Sequence, residues 1–281
     1  MMFDQIMTLS KSVVQHGPNN DRIYLMKLHP DDQVNHMIDE LYNLAILKRY
    51  AKIFVKVPKS RLQPFLDHEF KLEASVPGFY DGMEEGCFLG KYFNAKRGFV
   101  NKHVSTQMEE VIAISEQASI DFELRLPEGY TIRELSTSDA SDLASIYRKV
   151  FNKYPFPVFE ESYLLYTMNS NVRYFGVFNG GKLVAVSSAE MDVSASNAEM
   201  TDFATLPDYR GKGLSFFLLG KMIEAMRKCE IKTVYTIARA LSIGMNKTFG
   251  KHGFIYGGTL INNTLIGDTI ESMNVWYKNI A

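Results

Sequence analysis

FATLPDYRGKGLSFFLLG, residues 203–220, joins a predicted strand to a predicted amphipathic helix through a glycine-rich turn. Glycine lets the backbone approach a ligand closely, and the first amides of a helix have no partner within that helix. Because these amides lie at the positive end of the helix dipole, the turn predicts an anion site, best suited to a phosphate or pyrophosphate. A Walker loop is absent and the third glycine of a dinucleotide fingerprint is missing, which disfavours both of those nucleotide sites. A lone G-x-G pair also occurs in turns that merely connect a strand to a helix.

The sequence around this turn is predicted to form strands and helices in alternation. Strands are predicted from Tyr130 (YTIREL) and over residues 174–178, 182–190, 199–205, 233–238, 254–260 and 272–277. Helices are predicted over residues 138–151 and 242–251, and after the turn, where the apolar stripe comprises Leu214, Phe217, Leu218, Met222, Ala225 and Met226. Strands that meander first and then alternate with helices predict an α/β protein whose mixed sheet is covered by helices.

The first part of the chain shows a similar pattern. Strands are predicted over residues 22–28, 53–57, 70–74 and 87–93, the last two separated by the turn-rich PGFYDG. Helices are predicted after Pro30 and over residues 61–69 and 103–119. Because LRLPEGY, residues 124–130, interrupts the pattern, we expect a boundary near residue 125 that divides the chain into domains 1–125 and 126–281.

The two parts share a spacing of aromatic and histidine residues. The pattern F-x-x-H-x-F begins at Phe65 and again at Phe249, and an aromatic residue follows the last phenylalanine of each by 22 residues. Chance is the alternative explanation, since aromatic residues recur freely in strands. A duplication would make the first part a decayed copy without the phosphate loop, because HPDD stands where the second part has RGKG. We expect such a copy to support the substrate pocket or a subunit contact and to perform no chemistry.

Composition and charge exclude several classes of function. The 281 residues carry a formal net charge of −1, so no positive field would draw the chain to nucleic acid or anionic lipid. Cys87 and Cys229 lie far apart, which fits neither a disulfide framework nor a zinc site, and no metal is expected. No stretch approaches the roughly 18 consecutive apolar residues of a membrane helix, and the start of the chain lacks a signal-peptide pattern. We therefore expect a cytoplasmic protein without a nucleic-acid or membrane partner.

The glycine-rich turn resembles the pyrophosphate loop R/Q-x-x-G-x-G/A of the GNAT superfamily of acetyl-CoA-dependent N-acetyltransferases. Arg210 and Gly213 match two of its fixed places, and Ser215 departs from the last. The order of elements from Tyr130 to Tyr277 also fits, so the resemblance implies a C-terminal GNAT fold, a degenerate GNAT-like first half and acetyl-CoA as co-substrate. The residues that it implies for cofactor binding are Phe203, Ala204, Thr205, Arg210, Gly211, Lys212, Gly213, Leu214 and Ser215.

A more specific resemblance extends over the whole chain. The sequence is similar to the β-lysine N-acetyltransferases in EMTDFATLPDYRGKG, YTIARALSIGMNKTFGKHGF, YGGTLINNTLIGD and ESMNVWYK, and in KLEASVPGFYDG and GKYF of the first half. This implies acetylation of the ε-amine of β-lysine to give the compatible solute N-ε-acetyl-β-lysine, and therefore a role in osmoadaptation. Two alternatives stay open: a GNAT enzyme for another small amine (a polyamine, an amino acid or an aminoglycoside) and a non-catalytic acetyl-CoA-binding regulator. A homodimer is a further expectation.

Acetyl transfer to an amine predicts a carboxylate near the anion loop. The reaction requires a neutral nitrogen, yet a lysine-type ammonium is unprotonated in only about one molecule in 2,500 at pH 7. A general base that accepts the proton, directly or through water, therefore accelerates the reaction. Glu199 lies four residues before Phe203, the spacing at which the histone-acetylating branch of the superfamily keeps its general base. Asp202 is the competing candidate, and a surface acid or strand cap is the alternative for either residue.

The resemblance leaves the proton donor for the departing thiolate unassigned. Many superfamily members place a tyrosine where this chain has Phe249, and a phenyl ring cannot donate a proton. Tyr256, water or no enzymatic acid would take its place, with Phe249 as a cofactor contact. A backbone amide of Phe203 or Ala204 would donate to the oxyanion. Asn246 is the predicted partner of the cofactor amides, since Ser242 replaces a frequent asparagine.

An amino-acid acceptor with a second ammonium requires both cationic and anionic partners. The predicted substrate-binding residues are Arg239, Asn262, Asn263, Glu271 and Asn274. Turn chemistry for INNT and a solvent-exposed face for Glu271 are the alternatives. A pocket with acids alone would favour a polyamine, whereas an added basic group would favour an amino acid.

Overall fold

The computed structural model describes residues 4–119, 124–154 and 156–281, and its strands form one mixed sheet. The strands are β1 (Gln5–Leu9), β2 (Ser12–Gly17), β3 (Arg22–Lys27), β4 (Lys52–Pro58), β5 (Lys71–Tyr80), β6 (Glu84–Tyr92), β7 (Tyr130–Glu134), β8 (Val172–Asn179), β9 (Lys182–Asp192), β10 (Asn197–Thr205), β11 (Thr233–Arg239), β12 (Ile255–Ile266) and β13 (Thr269–Asn279). The helices are α1 (Val34–Lys48), α2 (Leu62–Asp67), α3 (Lys102–Glu116), α4 (Ala140–Val150), α5 (Glu161–Met168), α6 (Leu214–Lys228) and α7 (Ile243–Lys251).

The strand order repeats between the two halves of the chain. The sheet runs β1-β2-β3-β4-β6-β5-β12-β13-β11-β10-β9-β8-β7, so β1 to β6 are ordered as β8 to β13 are. In each half a helix joins two parallel neighbours: α1 lies between β3 and β4, and α6 between β10 and β11. The halves meet where β12 pairs with β5, at Gly258 and Ala74. This order supports the duplication predicted from the F-x-x-H-x-F spacing.

Apolar packing builds one core in each half and a third across the seam. In the second half, α4 and α6 cover the sheet, and in the first half α1 does so. The seam cluster draws on both halves and comprises Phe54, Ala74, Val76, Phe79, Phe88, Tyr235, Leu260, Met273 and Val275. Since burial of one such large side chain contributes about 1.5–3 kcal/mol, this cluster holds the halves together.

Helix α3 follows the first half in sequence but packs on the second half. Its first turn is capped by Asn101, whose Oδ1 accepts from the amide of Val104 at 2.9 Å. Near its end it contacts α7 so closely that a Cβ on Gly250 would lie 1.9 Å from the carbonyl oxygen of Ser115. The boundary predicted near residue 125 adjoins residues 120–123, which lie outside the described residues, so the division into 1–125 and 126–281 stays a prediction.

Several predicted elements differ from those observed. The sequence pattern does not predict β1, β2 and α5, because these elements are short or lack a regular apolar period. It placed a turn over PGFYDG, whereas Pro77 to Tyr80 continue β5 and the turn begins at Asp81. Phe217 belongs to the predicted apolar stripe of α6 but is only half-buried, and the next residue, Leu218, faces the core. Within the described residues, no helix is long and apolar enough to cross a membrane.

Candidate active site

A split between β10 and β11 creates the opening at the centre of the second half. The two strands pair in parallel only over Asn197–Glu199 and Thr233–Tyr235. Beyond that point β10 pairs with β9 alone, and β11 continues beside β13. A β-bulge between Thr201 and Ala204 bends β10 here, and within it Asp202 has a φ of 55°. Such strained positions are concentrated at functional sites.

The predicted anion loop lies at the end of the split strand β10. Gly211 and Gly213 have φ values of 78° and 70°, the left-handed region in which a side chain is strained. Helix α6 follows Gly213 without a side-chain cap and without an acidic residue in its first turn. Arg210 and Lys212 are exposed, and the Arg210 Nε donates to the carbonyl of Thr205 at 3.2 Å. These features leave positive charge and the first helix amides available to an anion.

The corresponding loop of the first half is filled by its own carboxylates. Asp32 lies before α1 and is buried, accepting from the amide of Lys11 at 3.1 Å and from the Ser12 hydroxyl at 2.6 Å. Asp31 pairs with the ammonium of Lys11 at 2.9 Å. Because these acidic groups stand where a phosphate would bind, the first half offers no second anion loop.

A cavity of about 490 Å³, here named the split cavity, occupies the opening between β10 and β11. Phe203 and Phe249 form part of its wall, with ring centroids 5.8 Å apart and ring planes at 89°. Ala204 and Thr205 continue the bent strand and pair with Val186 and Ala185 of β9. Phe203 and Phe249 thus adjoin one cavity that extends to Asp202.

A second cavity of about 520 Å³, here named the inter-half cavity, is bounded by both halves of the chain. Its wall from the second half carries the carboxyl groups of Glu190, Asp192, Glu199 and Asp202. Its wall from the first half carries the cations of Arg22, Lys27 and Lys56. The two cavities share a border formed by Tyr154, Thr201, Asp202, Ile237, Ile266 and Met273. The two cavities therefore lie side by side, next to the bulge of β10.

Glu199 reaches the inter-half cavity from β10, directly opposite Glu190 of β9. The Tyr235 hydroxyl hydrogen-bonds to Glu199, and the Lys56 Nζ donates to that hydroxyl at 3.3 Å. Burial raises the pKa of Glu199 to about 7, while Lys56 and Tyr235 act to lower it. Burial and the charges of Asp202 and Glu199 also raise the pKa of Glu190. A carboxyl group with a pKa near neutrality in a cavity is suited to proton transfer.

Asp202, the competing candidate base, is already engaged by hydroxyl groups. One of its oxygens accepts from the Tyr154 hydroxyl and the other from the Ser188 hydroxyl at 2.6 Å. Burial raises the pKa of Asp202. Since both oxygens hold partners at the bulge, Asp202 is better placed to fix the bent strand than to take a proton from a ligand.

Three predicted site residues lie instead in an internal network away from both cavities. Asn246 Oδ1 accepts from Asn274 at 3.0 Å and from the Trp276 indole at 2.8 Å, and its amide nitrogen donates to two backbone carbonyls. The Tyr256 hydroxyl pairs with Thr259 at 2.5 Å, which in turn donates to Asn274 at 2.7 Å. These groups satisfy one another and line neither cavity, and the cofactor role of Asn246, the acid role of Tyr256 and the substrate role of Asn274 stay predictions.

The remaining predicted substrate residues are placed differently from one another. The Asn262 side chain donates to the carbonyls of Arg97 and Phe99 at 2.9 and 3.0 Å and lines neither cavity, and its substrate role stays a prediction. Arg239 and Glu271 line the split cavity but bind each other through contacts of 2.9 and 2.7 Å. Their charges are therefore matched internally. Of the five predicted residues, Asn263 is the one that lines the inter-half cavity.

Several residues of the inter-half cavity lie in the first half and on β9, and the sequence pattern did not point to them. Arg22, Lys56 and Gln15 were not considered, because the first half was expected to perform no chemistry. Glu190 was also missed, although an acid that ends the apolar run KLVAVSSAE was a visible signal. Pairing of β9 with β10 places Glu190 opposite Glu199, and the common sheet brings the first-half groups to the same cavity.

Matches with known proteins agree with this geometry. The Acetyltransferase (GNAT) family matches residues 140–254. A β-lysine N(6)-acetyltransferase from Methanococcus maripaludis is 36% identical over 275 residues, which cover 98% of this chain and 98% of that protein. The N-acetyltransferase YodP from Bacillus subtilis is 32% identical over 270 residues, covering 96% of each chain. A β-lysine N(6)-acetyltransferase from Methanosarcina mazei is 44% identical over 154 residues, 55% of this chain and 57% of that protein.

Proposed function

The chain belongs to the GNAT acetyltransferases, in the family of the β-lysine N(6)-acetyltransferases, and from this premise we propose that it acetylates the ε-amine of β-lysine. It is an acetyl-CoA-dependent N-acetyltransferase. This excludes the alternative of a non-catalytic acetyl-CoA-binding regulator. The acceptor and the role of each residue are proposals.

The residues around the split fit acetyl-CoA, which supplies the acetyl thioester. The first amides of α6, with Arg210 and Lys212, would hold the pyrophosphate. The backbone of Phe203 to Thr205 is bent away from β11 and can hydrogen-bond the pantetheine arm. Phe249 would pack beside that arm. Among the described residues, no group of three His, Cys, Asp or Glu side chains could hold a metal ion, and the absence of a metal stays a prediction.

We assign proton acceptance to Glu199. The ammonium of the acceptor would transfer its proton to the Glu199 carboxylate, directly or through one water, before its nitrogen attacks the thioester carbonyl. The hydrogen bond from Tyr235 and the nearby charge of Lys56 keep a fraction of Glu199 ionised at neutral pH. The nitrogen forms the new amide bond as the carbon–sulfur bond breaks. The second proton that this nitrogen loses passes to the departing sulfur, directly or through water, so that CoA leaves as the thiol.

The mixed charge of the inter-half cavity is the observation that carries the choice of acceptor. Carboxyl groups on one wall suit an ammonium, while the buried Arg22 and the half-buried Lys56 on the other repel a polyamine and attract a carboxylate. β-Lysine has one carboxylate and two ammonium groups, and acetylation removes one positive charge. The product is a neutral zwitterion, as befits the compatible solute N-ε-acetyl-β-lysine. Osmoadaptation, a cytoplasmic location and a homodimer stay predictions.

An acetylation assay on a panel of amines tests the acceptor. Thiol release from acetyl-CoA would be followed with β-lysine, α-lysine, putrescine, spermidine and an aminoglycoside, and mass spectrometry would locate the acetyl group. We expect the highest kcat/KM with β-lysine and modification of its ε-nitrogen. A higher kcat/KM with spermidine or the aminoglycoside would overturn the proposed acceptor.

A further inference from the structure

Arg22 is a buried cation that faces the inter-half cavity without a carboxylate partner. It lies on β3 with 5% of its surface exposed, and its Nη1 donates to the Asn263 carbonyl at 2.5 Å and to the Thr264 hydroxyl at 3.2 Å. Among the residues that the structure describes, no acidic side chain lies within ion-pair distance of it, whereas Lys27 in the same cavity pairs with Asp192 at 3.0 Å. A buried charge normally has such a partner.

The surroundings of Arg22 keep it charged and available. Its guanidinium carbon lies 5.4 Å from the ring centre of Tyr24 and 5.7 Å from that of Phe54. Burial lowers the pKa of Arg22 to about 10, which leaves the group cationic at neutral pH. An unpaired cation beside a cavity of this size is a place for the anionic group of a ligand.

Two buried amide groups near Arg22 have atoms without a partner. The Gln15 Nε2, on β2, and the Asn263 Oδ1, on β12, are both buried and unbonded among the described residues. Gln15 is 2% exposed and Asn263 1% exposed, and both line the inter-half cavity. Buried polar atoms are nearly always hydrogen-bonded, so an unpaired donor and an unpaired acceptor on two residues that line a cavity indicate groups that a ligand completes.

We infer that Arg22 and Gln15 bind the carboxylate of the amino-acid acceptor, and that Asn263 accepts a hydrogen bond from the ammonium nearest to that carboxylate. In β-lysine a single methylene lies between the carboxylate and the carbon that bears this ammonium. The two groups are therefore close enough to meet the donors Arg22 and Gln15 and the neighbouring acceptor Asn263 at the same time. Three further methylenes carry the distal amine toward Glu199 on the opposite wall. The inference rests on the proposed function and deepens it: the first half of the chain selects amino acids over diamines.

A comparison of two acceptors that differ only in the carboxylate tests this assignment. β-Lysine and 1,4-diaminopentane, its decarboxylated counterpart, would be assayed with the wild-type full chain and with Arg22→Gln. A hydrogen bond between charged groups in a cavity makes a difference of about tenfold to a hundredfold. We expect Arg22→Gln to lose this factor in kcat/KM for β-lysine, mainly through KM, and not to lower kcat/KM for the diamine, since the cation that is removed repels an ammonium. Equal losses on both acceptors would overturn the inference.

Matched variants separate recognition from folding. Lys27→Gln removes a cation that is already paired, and it should leave the ratio of the two kcat/KM values within threefold of wild type. Affinity for CoA and the thermal unfolding temperature would show whether Arg22→Gln is folded. If it is not, Gln15→Met decides, since it keeps the side-chain length and removes the amide. A fall of at least threefold in the ratio supports the inference, and an unchanged ratio overturns it.

A second pair of acceptors keeps this test distinct from that of the proposed function. α-Lysine and cadaverine also differ only in the carboxylate. Failure of the proposed function would appear as negligible turnover of β-lysine by the wild-type enzyme. Failure of the inference would appear as equal effects of Arg22→Gln on both members of a pair that the wild type does acetylate.

Discussion

Replacement of Glu199 by glutamine should remove the general base while keeping the shape of the side chain. The effect is bounded by the acceptor: with a pKa of about 10.4, about one molecule in 2,500 is neutral at pH 7, and about one in 25 at pH 9. Glu190 lies directly opposite and remains in the variant, and Asp202 has both oxygens engaged. Partial compensation by Glu190 places the expected loss in kcat/KM near the low end for a general base, about 10²-fold at pH 7.

The pH dependence gives this prediction its sharpest form. The raised pKa of Glu199, about 7, means that the carboxyl group is increasingly protonated, and hence inactive as a base, as the pH falls through that value. Wild-type kcat/KM should therefore decline below about pH 7. In Glu199→Gln the rate should instead follow the neutral fraction of the amine, rising about tenfold per pH unit up to pH 9, so that the deficit shrinks.

Steady-state thiol release from pH 6 to 9.5 measures both profiles, and Glu190→Gln is the matched control. It removes a carboxyl group from the same cavity without removing the base. Burial and the charges of Asp202 and Glu199 raise the pKa of Glu190 to about 8, so Glu190 is largely neutral where Glu199 ionises. The acid limb of this variant should accordingly stay close to that of the wild type. The assignment is refuted if Glu199→Gln keeps the wild-type rate at pH 7 while Asp202→Asn does not.

Three further results are expected. Arg210→Glu should weaken CoA binding at least about tenfold in calorimetry, because it places negative charge against the pyrophosphate. The same measurement on the wild-type protein should give one CoA per chain, and two per chain would contradict the conclusion that carboxylates fill the first-half loop. Asn246→Ala should leave the Trp276 indole without an acceptor, and this should reduce the free energy of unfolding by about 2–4 kcal/mol and Tm by roughly 5–10 °C. The KM for acetyl-CoA should stay unchanged, whereas a raised KM with a normal Tm would support the cofactor role of Asn246. Residues 126–281 alone should aggregate or lose acceptor affinity, because they lack Arg22 and expose the seam cluster; a stable fragment with wild-type acceptor KM would argue against a shared cavity.

Local sequence determined the elements and the anion loop. The turn at Gly211 and Gly213 requires positive φ values, which glycine adopts without strain, and the apolar period of α6 follows it directly. Glu199 could likewise be selected from its distance to this loop. Such features depend on a few neighbouring residues, so a single sequence carries them.

Tertiary structure alone decided which polar groups share a cavity. Arg22 and Glu199 are separated by most of the chain, and they face one cavity because β5 and β12 join two half-sheets into one. Within the second half, the fold likewise places the side chains of Asn246 and Asn274 within hydrogen-bond distance of each other. The sequence shows that these residues are polar. A polar group either hydrogen-bonds within the protein or stays available to a substrate. Which of the two occurs depends on hydrogen-bond partners that only the folded sheet brings within about 3 Å.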